Sequence, residues 1–598
     1  MRGSVRVLVG VAVLMVALAV VSLGSAADGD KKVVLTMGLT NDYDSFNPMV
    51  GVEVPDFEVW NLLYATLTDK AAADFATTPG LAESWTASNG GKTYTYKLRE
   101  GLEWSDGQPL TAEDVAYTIN RARKEAWLNY SPTVDHLTAK VIDDTTVEIA
   151  SSVPDPKLPT MDVYILPKHV WDKFDEKAVT KPVPISTFGV GSGPFTLVSA
   201  KRGQSWSMNV NPSYWQGKAA IDEIVFRLFT NPDAMVAALK TGEIDAVFQV
   251  PSESYASLSG EKNIVTLEGE QGGFTEISVN GGRPEDMRVE GIGNGHPALS
   301  KLEVRQAIAH AIDRDVLIDR VYKGLARPAT TMSPSANPEW IPEVPVDQQF
   351  TFDLDKARGL LDGVGIKDSD GDGIREYEGK NINLDYYILT DSQTAPGNAE
   401  FIRDWLKQIG LGTTLKVVAS SKLTEIIGKG DYDLFQWGWT PYVDPDPMLS
   451  YFQCSQLSKD PDDPTNYYND ANWCDPAYDA DYKLQNVELD HAKRVEIAQR
   501  MLKRFYDSAS YNVLNYESDL QAYRTDRFEG WVRQPAETGP VMFSNTSPSY
   551  FLLKPVASSA GGGGLGGAAI GAIVVAAVAV LGALALMLRR RGSEDERE

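Results

Sequence analysis

The densest convergence of groups able to hold a ligand is the stretch WGWTPYVDPDP at residues 437–447. Trp437 and Trp439 flank Gly438, and Tyr442, Asp444 and Asp446 follow closely. Flat aromatic side chains bury much ligand surface with few rotatable bonds. A carboxylate in a closed cleft holds an ammonium group through charge-assisted hydrogen bonds. The chemistry on offer is recognition. The competing reading places the tryptophans in a core and gives the Asp-Pro pairs to turns.

A second acidic stretch, DSDGDGIRE at 368–376, puts Asp368, Asp370, Asp372 and Glu376 at the first, third, fifth and ninth positions of a calcium loop. Gly373 occupies the sixth position, where the tight turn needs glycine. The twelfth position is Gly379 rather than a bidentate glutamate, and Glu378 stands one residue early. These four carboxylates are therefore candidate ligands for a structural calcium, with a solvated Asp/Gly turn as the alternative. No other cofactor is expected. The histidines His136, His169, His296, His310 and His491 are scattered, and neither HExxH nor GxSxG occurs. Gly90-Gly91-Lys92-Thr93 ends like a phosphate loop, but Thr86 stands where glycine is required and a strand pattern follows. No catalytic residue is expected, and an enzyme is not predicted.

The 598 residues, 43% of them hydrophobic, suffice for at least two sizeable lobes. A net charge of -26 argues against nucleic acid, whose phosphates would be repelled. Solubility explains that charge, and a taste for cationic ligands is the other reading. Residues 1–27 carry Arg2 and Arg6, an apolar run and then Ser25-Ala26-Ala27, the pattern of a cleaved secretory signal peptide, with an uncleaved anchor as the alternative. No cysteine follows the apolar run, which excludes a lipoprotein anchor. Cys454 and Cys474 are the two cysteines, and export favours their pairing over free thiols or a metal pair. A loop of that length adds about 3 kcal/mol by restricting the unfolded chain.

At the other end, 557–567 is a Gly/Ser/Ala tether, and 568–588 contains no charge. Twenty-one such residues at about 1.5 Å each cover the roughly 30 Å of a hydrocarbon core. Arg589-Arg590-Arg591 then marks 589–598 as a cytoplasmic tail, leaving the bulk of the chain outside the cell. A core helix and a removable sorting signal are the alternatives for this segment.

The elements that must position these groups read as α/β. Residues 94–122 change period from strand to turn to strand to helix, with turns at Gly101 and Asp106-Gly107 and a helix start at Thr111. Strands are also expected at 163–166, 244–250, 272–280, 384–389, 414–418 and 511–515. Helices are expected from Asn231-Pro232 to Gly242, over 302–321, at 400–409 and at 492–506. Strand, helix and strand alternate as a mixed α/β lobe requires.

Three motifs carry a resemblance: LREGLEWSDGQPLTAEDV at 98–115, GSGPF at 191–195 with NPSYW at 211–215, and VRQAIAHAIDR at 304–314. In this order they resemble the signatures of the family 5 extracellular solute-binding proteins, receptors for oligopeptides, dipeptides and nickel. The resemblance implies a periplasmic-binding-protein-like α/β fold with two main lobes, a hinge, a smaller inserted lobe and here a C-terminal transmembrane helix. Lobe I would comprise 28–59, 188–283 and 511–556, small lobe II 60–187, and lobe III 284–510. It also implies a peptide or other small-molecule ligand, delivery to membrane permease subunits of an ABC importer, and a monomeric ectodomain. Asn47, in a loop resembling the family's opening motif, is thereby a candidate pocket residue beside Trp437, Trp439, Tyr442 and Asp444. In peptide-binding relatives an aspartate after the tryptophan-rich strand holds the α-amino group. Direct counting from Trp439 matches that position to Tyr442, and Asp444 matches only with a shift. A cello-oligosaccharide is the rival ligand, and a ligand-sensing or adhesive surface ectodomain is the rival class.

Overall fold

Two strands, Ile264–Val279 and Tyr511–Arg524, run antiparallel through the middle of the molecule and pair along most of their length. Both extend well past the 272–280 and 511–515 segments expected from alternation. The computed structural model describes residues 32–557 apart from 50, 52, 126, 128, 176–183, 391, 442, 462–467, 543–545 and 547. The predicted signal 1–27, the tether beyond Ala557, the span 568–588 and the tail 589–598 lie outside those residues. Among the described residues no helix is long and apolar enough to cross a membrane.

The long pair is the centre of a mixed sheet. On one side the order continues through Leu434–Trp439 and Asn383–Leu389 to Gly412–Val418; on the other it runs through Ala246–Val247, Val34–Leu39, Glu223–Leu228 and Ser205–Val210 to Phe195–Lys201. Ala326–Pro328 pairs outside this path with Tyr511–Arg524. Asn383–Leu389 is parallel to both its neighbours, as is Val34–Leu39. Two parallel cores are thus joined through antiparallel strands. Parallel strands need cover on both faces, and helices such as Ala395–Gln408 bury Ala399, Ile402 and Leu406 against one of them.

A separate antiparallel sheet is ordered Ala82–Ser88, Thr93–Leu98, Thr146–Ser151 and Leu137–Asp143. The helix Ala112–Glu125 covers it, because Val115, Ile119 and Ala122 share one face and are all buried. Asn120 fixes the packing through Nδ2 to the Ala139 carbonyl at 2.7 Å and Oδ1 from the Ala139 amide at 3.0 Å. The expected helix start is observed: Thr111 Oγ1 accepts from the Glu113 amide, and Asp114 accepts from the Thr111 amide. The second strand expected in 94–122 reduces to one bridge, Glu103 with Pro109.

Three further expectations need correction. Residues 302–321 form two helices, Leu302–His310 and Arg314–Arg320, because Asp313 caps a new one by accepting from the Val316 amide. Residues 163–166 form no strand; the Ile165 amide donates to the Ala65 carbonyl at 3.1 Å, and Val163, Ile165 and Leu166 fill the core. Of 244–250 only Ala246–Val247 is strand. The helix Pro232–Thr241 matches expectation, capped by the Asn231 side chain and ended by left-handed Gly242.

The motifs that carried the resemblance are explained by packing. The GSGPF loop lies against the end of Val54–Leu63: the Gly193 amide donates to Leu63 O at 2.9 Å, and Ser192 Oγ accepts from the Ala65 amide. A Cβ on Gly193 would sit 2.3 Å from Leu62 O, so only glycine allows this approach. Arg305 clips its helix to the Ser508 carbonyl, and Arg314 holds the Val513 carbonyl.

Buried carboxyls line the same strands. Glu276, opposite Val513 in the ladder, is fully buried; Asp470 accepts from the Tyr511 hydroxyl at 2.7 Å. Burial, more than it is opposed by that hydrogen bond, pushes Asp470 up to about 7. Burial and then the Asp470 charge also raise Glu276.

Two outcomes are expected. Gly193→Ala lowers unfolding free energy by about 2 kcal/mol in urea titration, since the displaced carbonyl belongs to backbone; unchanged stability contradicts the tight approach. The native Asp470 carboxyl keeps its proton between about pH 4, where the unfolded group ionises, and about pH 7. In that window the native state binds more protons, so this group's contribution to stability falls as pH rises. Asp470→Asn should therefore gain on wild type as pH increases through the window, and a constant difference contradicts the assignment.

Candidate functional site

A cavity of about 1550 Å³ is walled by three parts of the chain. One wall is the hairpin of Thr68–Lys70 and Thr77–Pro79 together with the loop after Thr146–Ser151. Another is the segment after Leu434–Trp439, with the turn Pro338–Trp340 and the start of the helix His491–Asp507. The third is Pro535 to Thr538, with Glu270 beside it.

Glu270 marks where the long strand pair loses register. The ladder skips between Glu270, which still pairs with Ser518, and Phe274, and the Glu270 amide bonds the Thr538 carbonyl at 2.7 Å. The break therefore borders the cavity.

A chain of polar contacts ties the first wall to the second. Lys157 Nζ donates to Asp446 Oδ2 and to Asn486 Oδ1, each at 2.8 Å. Gln485 Nε2 donates to Asp446 Oδ1 at 2.5 Å, and Gln485 Oε1 accepts from Arg494 Nε at 3.1 Å. Arg494 ends the chain as a two-pronged donor to Asp444, at 2.6 and 2.7 Å. Burial acts to raise the Asp444 carboxyl, but the guanidinium bonds and charge outweigh it and hold the group below the usual carboxylate range. Burial also opposes the charge on Arg494, and Asp444 more than compensates. His136 adds a contact to Asp155 at 2.7 Å in the same wall.

Of the five predicted ligand contacts, Asp444 lines this cavity. Its Oδ1 takes Arg494 and the Asp446 amide, while Oδ2 takes Arg494, which leaves one lone-pair direction without a partner among the described residues. Tyr442 lies outside the described residues. Trp437 packs with Tyr387, Leu423 and Phe435 and is not among the lining residues. Trp439 stands behind the wall: its Nε1 donates to the Tyr511 hydroxyl at 2.8 Å, and its ring lies 5.4 Å from Tyr451, which does line the cavity. Asn47 is buried in its own turn, accepting from the Met49 amide, and is also outside the lining set. Cys454 and Cys474 are disulfide-bonded, next to Gln453 and Gln456 of the wall.

The sequence reading missed Lys157, Gln485, Asn486 and Arg494. Their partners are distant in the chain, Lys157 from Asp446 by 289 positions, so no local pattern marks them. In the acidic turn, Asp368, Asp370 and Glu376 bring carboxylate oxygens within 4.8 Å of one another. Asp372 turns away from them to accept from Asn381 at 2.6 Å. The Asp368 oxygens already accept from the Gly371 and Gly373 amides.

Comparison with known proteins supplies the family. Residues 76–460 match the model of bacterial extracellular solute-binding proteins, family 5 middle. The oligopeptide-binding protein AppA of Bacillus subtilis is 25% identical over 449 residues, covering 71% of this chain and 76% of that protein. The dipeptide-binding protein of Escherichia coli is 23% identical over 538 residues, covering 84% of this chain and 92% of its own length. Among solved structures, the ABC transporter substrate binding protein CtaP of Listeria monocytogenes superposes with a TM-score of 0.72 at 24% identity, over 88% of this chain and 100% of that one. The chain is a binding protein and not an enzyme, and it belongs to the family 5 extracellular solute-binding proteins.

Proposed function

We propose that this chain is the surface-anchored receptor of an ATP-binding-cassette importer, and that its cavity takes a short peptide for delivery to the permease subunits. The observation that carries this reading is the cavity itself. At about 1550 Å³ it exceeds the roughly 300–1,000 Å³ of a pocket for one drug-sized molecule. The names of the relatives, an oligopeptide-binding and a dipeptide-binding protein, support it. A cello-oligosaccharide is the second reading, favoured by the stacked pair Tyr451 and Tyr468, whose centroids lie 4.9 Å apart in the wall.

In this reading 28–59, 188–283 and 511–556 form lobe I, 60–187 lobe II and 284–510 lobe III. The hinge is the long strand pair at its break beside Glu270. Ligand binding favours the closed arrangement by differential affinity. The peptide's α-amino group takes the open lone pair on Asp444, in a shifted version of the family's amine contact. Tyr451, backed by Trp439, packs against the ligand. The monomeric ectodomain stands outside the cell after removal of 1–27, held by 568–588 with 589–598 inside. The acidic turn holds structural calcium through Asp368, Asp370 and Glu376, with Asp372 withdrawn to Asn381.

Calorimetry with trialanine, N-acetyl-trialanine and cellobiose tests the ligand. Trialanine should bind, and either N-acetylation or Asp444→Asn should weaken it on the order of tenfold or more, with no further loss when combined. Additive losses contradict the amine contact; tight cellobiose binding without trialanine binding contradicts the peptide reading. For the anchor, deleting everything after Ser559 should move the protein from membranes to medium, and continued sedimentation with membranes overturns the anchoring.

A further inference from the structure

The charge on the cavity wall is more one-sided than the chain as a whole. Over the whole sequence 82 acidic residues stand against 56 basic ones, roughly three to two. Among the described lining residues nine carboxylates stand against three lysine or arginine side chains, or three to one. General acidity of the surface does not account for that excess.

Each of those cations is already committed. Lys70 pairs with Asp162, Lys157 with Asp446 and Arg494 with Asp444. Histidines face two more of the acids: His136 lies 2.7 Å from Asp155, and His491 3.0 Å from Glu339. Glu270 faces Arg327 at 3.4 Å. That leaves the carboxylates of Asp69, Asp74 and Glu537 without an ion pair among the described residues, the nearby Arg533 guanidinium being bonded to the Glu537 backbone carbonyl at 2.9 Å instead.

The fold gathers these three on one edge. The Ala536 amide donates to the Ala73 carbonyl at 3.1 Å, which sets Glu537 beside Asp74. Gln534 Nε2 reaches the carbonyls of Lys70 and Ala71, tying the same loop to Asp69. Burial raises the Asp69 carboxyl, so its ionised form gains from an approaching cation. The cavity wall also carries the Tyr451 and Tyr468 stack, with Tyr468 51% exposed, and an aromatic face attracts a cation as it attracts no anion. A walled cavity of one sign focuses its field on the ligand instead of dispersing it into solvent.

We propose that the cavity selects peptides bearing lysine or arginine side chains, and that the edge formed by Asp69, Asp74 and Glu537 takes the cationic side chain. This rests on the peptide reading above. The lysine or arginine supplies the charge that the wall lacks, while Lys157 and Arg494 stay with their own carboxylates.

Calorimetry with Ala-Ala-Ala, Ala-Lys-Lys, Ala-Glu-Glu and cellobiose provides the test. Ala-Lys-Lys should bind on the order of tenfold tighter than Ala-Ala-Ala, and Ala-Glu-Glu more weakly than either. The gap should narrow between about 0.05 M and about 0.5 M salt. Asp74 and Glu537 are exposed, so Asp74→Asn with Glu537→Gln leaves the fold intact; it should shrink the lysine preference, read as the ratio of Ala-Lys-Lys to Ala-Ala-Ala affinity, to about twofold. Adding Asp69→Asn should abolish the preference. Equal binding of the three peptides, or a lysine preference that survives all three substitutions, overturns the inference while leaving the peptide reading standing. Cellobiose binding with no peptide binding removes the peptide reading, and this inference with it.

Discussion

The antiparallel pairing of Ile264–Val279 with Tyr511–Arg524 is the constraint on which the rest of the molecule hangs. One parallel core reaches it through Leu434–Trp439 and the other through Ala246–Val247. Residues along the pair serve different hydrophobic clusters: Leu267 packs with the Val34 side, Phe274 with the helices around Phe505, and Ile277 with the core around Leu384. A continuous ladder would make this junction stiff. The break between Glu270 and Phe274 interrupts it next to Glu270, where the strand also borders the cavity.

Across that cavity the walls are joined by charged contacts from Lys157, with Leu489 lying over Gly91 beside them. Desolvating Lys157, Asp446, Arg494 and Asp444 is costly, and the pairs offset that cost only because each donor has a placed acceptor. Gln485 couples the two pairs by donating to Asp446 and accepting from Arg494. Such contacts are directional and separable.

How much of this was legible in the sequence depended on the range of the interaction. Caps and turns were legible because their signals are local: Thr111 with Asp114, Asn231 before Pro232, and left-handed Gly242 all behave as their types and spacing imply. The motifs identified the family although their physical roles are structural, Gly193 against Leu62 and Arg305 against Ser508. Strand lengths were underread because alternation fades where both faces are buried, as in Tyr511–Arg524. At the site, Asp444 was found but Arg494 was not, since an arginine on an amphipathic helix looks like surface until its partner arrives from 50 residues away. Trp437 and Trp439 drew attention by type, yet one fills a small core and the other braces Tyr511.

The account stands on the cavity walled by Lys157, Asp444 and Tyr451 being the place where solute binds. A crystal structure of residues 28–557, purified gently enough to retain its resident ligand, measures that directly. The account predicts ligand density inside this cavity, in contact with Asp444 and the Tyr451 and Tyr468 stack. Density held elsewhere, for example against Trp437, with the cavity filled by water alone, would contradict it.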